Sequence, residues 1–412
     1  MQKDRASQLS TGGDVMNRMW LQVSLALVVT CVSLSAEDVP ATKVRNRSDL
    51  MKALKDAKPG TRILLAPGRY KGGMYLKGVK GTKEKPIVVA AADPKDPPVI
   101  EGGYCSFQFS GAEYLELRNI VCVGGRGNGI NIDGGSKFFR LLNVTVRDVN
   151  QNGNHDGIKL SGVSDFRVEN CTVENWGDCG VDMVACARGL IEGCVFRTTK
   201  GGLPAVGVQT KGGSIDVTIR RNRFDRAARR GVNIGGSTAL NCFWLGLPQK
   251  DAYEAKHITV EGNIFIGCNA AAAFVTSDDC IARWNTIYHP NRWAFRILQE
   301  TGDKRFVRCR NGRVEDNIIV YRSDRWFAGG MNFLTKSANP FSFKFARNWW
   351  YCSDRPGKSK RSLPVKEVEG VIGKDPMLVD PAKGNFALKK GSPAKGRGHT
   401  ALPAAKALER EN

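Results

Sequence analysis

Asparagine recurs at one frame position along this chain, each time ahead of an apolar pair or an apolar-flanked residue. The copies read Arg221-Asn222-Arg223-Phe224, Gly262-Asn263-Ile264-Phe265, Trp284-Asn285-Thr286-Ile287, Asp316-Asn317-Ile318-Ile319 and Arg347-Asn348-Trp349-Trp350. Upstream, Asn170-Cys171-Thr172-Val173 and Gly193-Cys194-Val195-Phe196 fit the same frame, with cysteine in the asparagine slot. The spacing drifts between about 22 and 32 residues, with one interval near 41, which is the mark of stacked rungs with loops of varying length. Each asparagine is expected in a turn that tolerates left-handed geometry, its amide bonded to the same amide about 4.8 Å away on the next rung.

Two strand columns stack in this frame. One contains Gly129-Ile130-Asn131-Ile132, Gly157-Ile158-Lys159-Leu160, Gly180-Val181-Asp182-Met183, Gly207-Val208-Gln209-Thr210 and Gly231-Val232-Asn233-Ile234, with Ala294-Phe295-Arg296-Ile297 as a looser member. A second, including Val217-Thr218-Ile219 and Ile258-Thr259-Val260, leads into the asparagines. Apolar residues alternate, as half-buried strands require, and no helices separate the strands. The pattern predicts an all-β fold, a right-handed parallel β-helix. A capping helix is expected over Ser48–Lys58 with Ser48 as N-cap, and a first strand from Thr61. The expected division is a leader over 1–36, a cap over 37–60, the β-helix over 61–352 and a basic C-terminal segment over 353–412. Within that segment, Asp375–Pro381 and Gly391–Ala394 are expected to cap the last rung.

The N-terminus constrains location. Met16-Asn17-Arg18 is a basic start, Leu21–Val32 is apolar, and Ser33-Leu34-Ser35-Ala36 is a small-residue cleavage site, so a secretory signal peptide cut after Ala36 is predicted, with Met16 as the alternative start. No later run is long enough to span a membrane. A secreted or periplasmic protein is expected. Lys and Arg number 62 against 40 Asp and Glu, a net charge of +22 spread along the chain, which favours polyanionic partners. Export excludes nucleic acid and leaves an acidic polysaccharide, bound by a monomer. Twelve cysteines, less Cys31 in the leader, leave an odd count and so at least one free thiol. Cys171 and Cys194 should point inward from neighbouring rungs, with a disulfide between them left open. Four histidines and no His/Cys spacing argue against zinc.

Stacking places Asn131, Lys159, Asp182, Gln209, Asn233 and Arg296 in one outward column, and Asp133, Ser161, Lys211 and Thr276 in the next. Such a strip suits an extended polymer. It equally describes a solvated sheet face whose charges pair, Lys159 beside Asp182.

The segment from Ala53-Leu54 through Pro59-Gly60-Thr61-Arg62-Ile63-Leu64-Leu65-Ala66-Pro67-Gly68 is similar to the opening of the chondroitinase B and alginate lyase family. The chain as a whole resembles exported bacterial members of the pectate-lyase-like β-helix superfamily. That resemblance implies β-elimination on a uronate polymer, which needs a base for the C5 proton and a cation for the carboxylate. Lys211, in Val208-Gln209-Thr210-Lys211-Gly212-Gly213, lies near the position of that family's catalytic lysine. The family's arginine in the following rung is replaced by Gly235-Gly236, so Arg230 or Arg296 takes the neutralising role. Its glutamate calcium ligands are matched only by Pro204-Ala205-Val206; no metal ligand is assigned, and calcium is left open. Lys159, Gln209, Asn233 and Arg296 are the substrate-binding candidates on the strip.

Two alternatives remain. Asn154-His155-Asp156-Gly157-Ile158 and Gly177-Asp178-Cys179-Gly180-Val181 resemble the paired aspartate motifs of polygalacturonases, which makes Asp156 and Asp178 catalytic candidates for hydrolysis, with Asp182 beside them on the strip. Cys179 replaces the second aspartate of that pair, and the family's Gly-His-Gly and Arg-Ile-Lys motifs are missing. Alternatively the groove binds an acidic glycan without cleaving it, using Trp244, Tyr253 and the cluster Lys304, Arg305, Arg308 and Arg310.

Overall fold

The computed structural model describes residues 41–243 and 246–403. The chain coils through three long parallel sheets of ten, fourteen and twelve strands. One rung shows the order: Cys179–Val184 lies in the ten-stranded sheet, Ala187–Glu192 in the fourteen-stranded and Val195–Arg197 in the twelve-stranded one. Each strand then pairs in parallel with its counterpart one rung on, Val181 with Val208, Ile191 with Ile219 and Phe196 with Phe224. Strands of two to seven residues suffice because those inside the stack are paired on both sides and bury alternate residues. The inward positions form one continuous apolar core, and Phe196, Phe224 and Phe265 stack within it at centroid spacings of 4.8 and 4.7 Å.

The asparagines form the ladder that their spacing implies, but they are not the left-handed residues. Positive φ falls on the residue before each one: 54° at Arg221, 61° at Gly262, 52° at Trp284, 56° at Asp316 and 53° at Arg347. That residue turns the corner, and the asparagine side chain thereby points into the core. Nδ2 of Asn222, Asn263, Asn285 and Asn317 each donates to Oδ1 of the next, at 2.8–3.0 Å. The same Oδ1 atoms accept backbone N–H groups, and Nδ2 also reaches a carbonyl one rung back. The run ends on Glu367, whose buried carboxylate accepts from Asn348 at 2.7 Å and pairs with Arg361 at 2.6 Å. At the other end Cys194 N–H donates to Asn222, and Cys171 N–H to the Cys194 sulfur at 3.4 Å. Both cysteines are buried free thiols, so no disulfide joins them.

The ends of the coil differ from the sequence expectation. The helix is Arg47–Lys55, capped by Asn46, whose side chain accepts the Asp49 N–H at 2.9 Å; Ser48 lies inside it. Ahead of it Ala41–Val44 already pairs with Arg62–Leu65, so the sheet begins before the cap. Parallel pairing persists past 352, to Val371–Ile372 on Trp349–Trp350. Leu363 and Val365 pack on the end of the core, whereas Asp375–Pro381 and Gly391–Ala394, expected to cap the last rung, do not. Leu378, Phe386 and Ala394 pack on the outer face of the twelve-stranded sheet at Ile318, Val320 and Trp349. The chain then runs back along the stack, Gly398 bonding to Asp316 and His399 to Thr286. The predicted leader lies outside the described residues. Among the described residues no helix is long and apolar enough to cross a membrane.

Candidate functional site

The ten-stranded sheet carries the outward column expected from the frame. Asn131, Lys159, Asp182, Gln209 and Asn233 are in register, followed by Ala273, Arg296 and Asn332. Lys211 belongs to the neighbouring column, beside Ser161 and Val184. Thr276 does not. Val275 takes that position, and Thr276 is a buried corner residue accepting the Glu300 and Thr301 N–H groups.

At the centre stands Asp182, 1% exposed. Its Oδ2 pairs with Lys159 and lies 3.5 Å from Lys211 Nζ, while Oδ1 is buried without a hydrogen bond. Lys159 also meets Asp156 at 3.3 Å. The Lys159–Asp182 pair is therefore the one anticipated, but it is buried rather than solvated, and breaking it leaves an uncompensated buried charge. Burial works against the Lys159 ammonium, yet Asp182 and then Asp156 outweigh it and hold its pKa above the ordinary value. Asp156 is itself pushed up to about 6, by burial first and the charge of Asp182 second.

The next rungs supply cations. Lys211, Arg229, Arg230, Arg292 and Arg296 line a groove of about 490 Å³, with Asp178 and Glu300 as the acidic members. Gln209 is a strut across its floor, accepting from the Cys179 thiol at 3.2 Å and donating to the Gly235 carbonyl at 3.3 Å. A side chain at Gly236 would lie 2.7 Å from Gln209 Nε2 and 3.5 Å from Lys211 Cβ, so this glycine keeps the space beside Lys211 open. Arg230 bonds to Asn233 at 2.9 Å and pairs with Glu300 at 2.7 Å. Arg296 bonds to Asn332 at 2.9 Å and lies over the Trp293 ring at 4.6 Å. Burial, then repulsion from Arg230, lowers its pKa to about 10.

Most of the residues chosen from sequence thus come together, with changes of role. Asp156, Asp178 and Cys179 place ligand atoms within 4.8 Å of one another. That is closer than the ~6.5–9.5 Å that inversion with an intervening water requires. Both oxygens of Asp156 are also committed, one to Cys179 N–H at 3.1 Å and one to Lys159. The set does not fit calcium either, which takes several hard oxygen ligands. A lysine occupies the Asp156 carboxylate, and burial, then Asp182, raise the Cys179 thiol well above its usual range, keeping it protonated. Activity on any substrate of this groove should accordingly survive exhaustive dialysis against a calcium chelator; loss of activity restored by calcium would contradict this.

The peripheral contacts fare less well. Trp244 lies outside the described residues. Tyr253 lines an apolar recess with Phe243, Leu247 and Pro248 and packs on Lys256, as a lid does. In the basic cluster Arg305 pairs with Asp303 and Arg310 with Asp278, while Arg308 donates to the carbonyls of residues 335, 336, 337 and 338. Those three arginines hold loops together, although Arg308, like Lys304, is exposed. Sequence reasoning missed Arg292, Trp293 and Glu300. The first was accessible, because Arg292 precedes Phe295 by the three residues that separate Arg229 from Val232 and Asp178 from Val181. Glu300 follows its strand in an irregular loop with no frame to count from. A further buried carboxylate, Glu254, ties the corner after Lys211 to two loops, accepting from Gly212, Thr238 and Thr301 at 2.7–3.0 Å.

Residues 99–243 match the family model described as "Right handed beta helix region". No curated protein matches the sequence significantly. Among solved structures, a PL6 family polysaccharide lyase from Pseudopedobacter saltans aligns at 15% identity over 87% of this chain and 99% of its own, with a TM-score of 0.55. An alginate lyase from Paenibacillus sp. aligns at 17% identity over 71% of this chain and 99% of its own, with a TM-score of 0.52. A rhamnogalacturonan lyase aligns at 12% identity over 87% and 100%, also at 0.52. At such identities the likeness is one of fold. Together with the three parallel sheets, it identifies this chain as a right-handed parallel β-helix protein.

Proposed function

We propose that this protein is an exported polysaccharide lyase that cleaves a uronate-containing polymer by β-elimination. The observation that carries the reading is the placement of Lys211. Its side chain is 19% exposed, opens into a groove with four arginines, and places Nζ 3.5 Å from a buried aspartate. Elimination removes the C5 proton, forms the C4–C5 double bond and breaks the C4–O bond of the same uronate, so that the glycosidic oxygen leaves on the anomeric carbon of the neighbouring sugar and takes up a proton there. Lys211, as a neutral amine, takes the proton. Arg230 and Arg296 bind the substrate carboxylate and stabilise the enolate-like anion that develops on it. Glu300 holds Arg230 until the substrate carboxylate competes for it. Asp182 orients Lys211 and Lys159, while Gln209 and Asn233, expected from sequence to bind substrate, are buried and brace the floor of the groove, Asn233 accepting from Arg230 and both donating to the Gly235 carbonyl.

Hydrolysis is disfavoured by the committed oxygens of Asp156, and the pH profile separates the two chemistries. A lysine base gives activity that rises with pH on the alkaline side. A hydrolase using Asp156 as its acid loses activity as pH rises through about 6. The test is a screen of alginate, polygalacturonate and chondroitin, followed by the ultraviolet absorbance of unsaturated uronate ends. Rising absorbance with an alkaline optimum is expected. New reducing ends without absorbance, and an acidic optimum, would overturn the proposal. Binding with no cleavage would favour the glycan-binding reading.

A further inference from the structure

The strand register that sets the edge of the groove continues back from the rung of Lys211 to the start of the sheet. Counting back three residues from the paired Phe107, Ile130, Ile158, Val181, Val208 and Val232 gives Tyr104, Gly127, His155, Asp178, Ala205 and Arg229. Tyr104 therefore occupies the same edge position as Asp178 and Arg229, four rungs, or about 19 Å, before the rung of Lys211.

Tyr104 is 62% exposed, yet its ring is held in place. A Cβ added at Gly127 would meet ring carbons Cε1 and Cζ at 2.8 Å and Cε2 at 3.0 Å. One face of the ring thus lies flat on Gly127 and the other is free. The backbone fixes the same contact, Gly127 N–H donating to the Tyr104 carbonyl at 2.8 Å and Arg126 N–H to that of Gly103 at 3.0 Å. Tyr75, 54% exposed, heads the inner column, in register with Gln108 and then Asn131 and Lys159. Between the tyrosines and the lysines the floor is polar, with Gln108 and Asn131 both donating to Asp133.

An exposed aromatic ring seated on glycine, in line with a polar trough, is the arrangement that stacks on a pyranose ring. We propose that Tyr104, flanked by Tyr75, is a distal subsite that binds a sugar ring of the same polymer whose cleavage is assigned to Lys211. A hexuronate residue is close to one rung in length, so the chain reaching from Tyr104 to Lys211 is about five sugars long. The proposal rests on the polymer-groove reading, and it implies attack within long chains.

The test is affinity gel electrophoresis with sodium alginate and polygalacturonate, each as polymer and as trimer. Tyr104→Ala should weaken polymer binding about 3- to 10-fold and leave trimer binding unchanged, while Tyr104→Trp retains affinity. Gly127→Val, which lifts the ring from its seat, should reproduce the loss. Unchanged polymer affinity in both Tyr104→Ala and Gly127→Val overturns the subsite while leaving the groove intact. Failure of the wild-type protein to bind either polymer overturns the groove reading and the subsite with it.

Discussion

Lys211→Ala should lower kcat on a uronate polymer by about 10²–10⁴-fold, the range expected for loss of a general base. The fold should hardly register the change. Asp182 keeps its closer partner Lys159, so its buried carboxylate is not left uncompensated, and the lysine side chain is not part of the core. The unfolding midpoint should therefore stay near that of the wild type, which distinguishes a chemical loss from a folding loss. Lys159→Ala is the contrasting variant. It strips the principal cation from both Asp182 and Asp156 and costs several kcal/mol of stability. An active Lys211→Ala protein would remove the base from the account.

The second large effect lies in the ladder. Asn285→Ala deletes the Oδ1 that accepts both the backbone N–H and the Nδ2 of Asn263, each at 3.0 Å. It also removes the donor that serves the Val260 carbonyl and Asn317 Oδ1, each at 2.9 Å. All these groups are buried in the core. Leaving two or three of them unpaired costs about 3–5 kcal/mol. Asn143→Gly breaks a similar amide contact to Asn119 at the exposed surface, suits the positive φ of 54° there, and should change stability by less than about 0.5 kcal/mol. Urea unfolding of the two variants measures the contrast. Equal midpoints would mean that the ladder contributes nothing beyond the corner geometry.

The ladder also explains what could be read from the sequence. Its frame made the register legible, because a parallel coil repeats one offset in every rung and each rung restates the others. Lys159, Asp182, Gln209, Asn233 and Arg296 were therefore placed in one column correctly. What the frame does not carry is the environment between columns. The burial of Asp182 and the commitment of both Asp156 oxygens depend on how side chains of neighbouring rungs fill the space between them, and the salt bridge from Arg230 to Glu300 depends on an irregular loop. The position of positive φ was also misassigned. Asparagine is the common left-handed residue, but here a Trp, an Asp and three others turn the corner so that the amide can face inward. The tail misled for a similar reason: its apolar residues satisfy a hydrophobic partner, and the sequence does not say whether that partner is the last rung or the outside of the sheet.

The most direct test of the central claim is the mass of the products. A defined uronate oligosaccharide is digested with the purified protein in oxygen-18 water, and the fragments are weighed by mass spectrometry. Elimination predicts two fragments whose masses sum to that of the substrate, one carrying an unsaturated end and neither containing solvent oxygen from the cleavage itself. Fragments that together exceed the substrate by one molecule of heavy water would show hydrolysis and contradict the assignment of Lys211 as the base of a lyase.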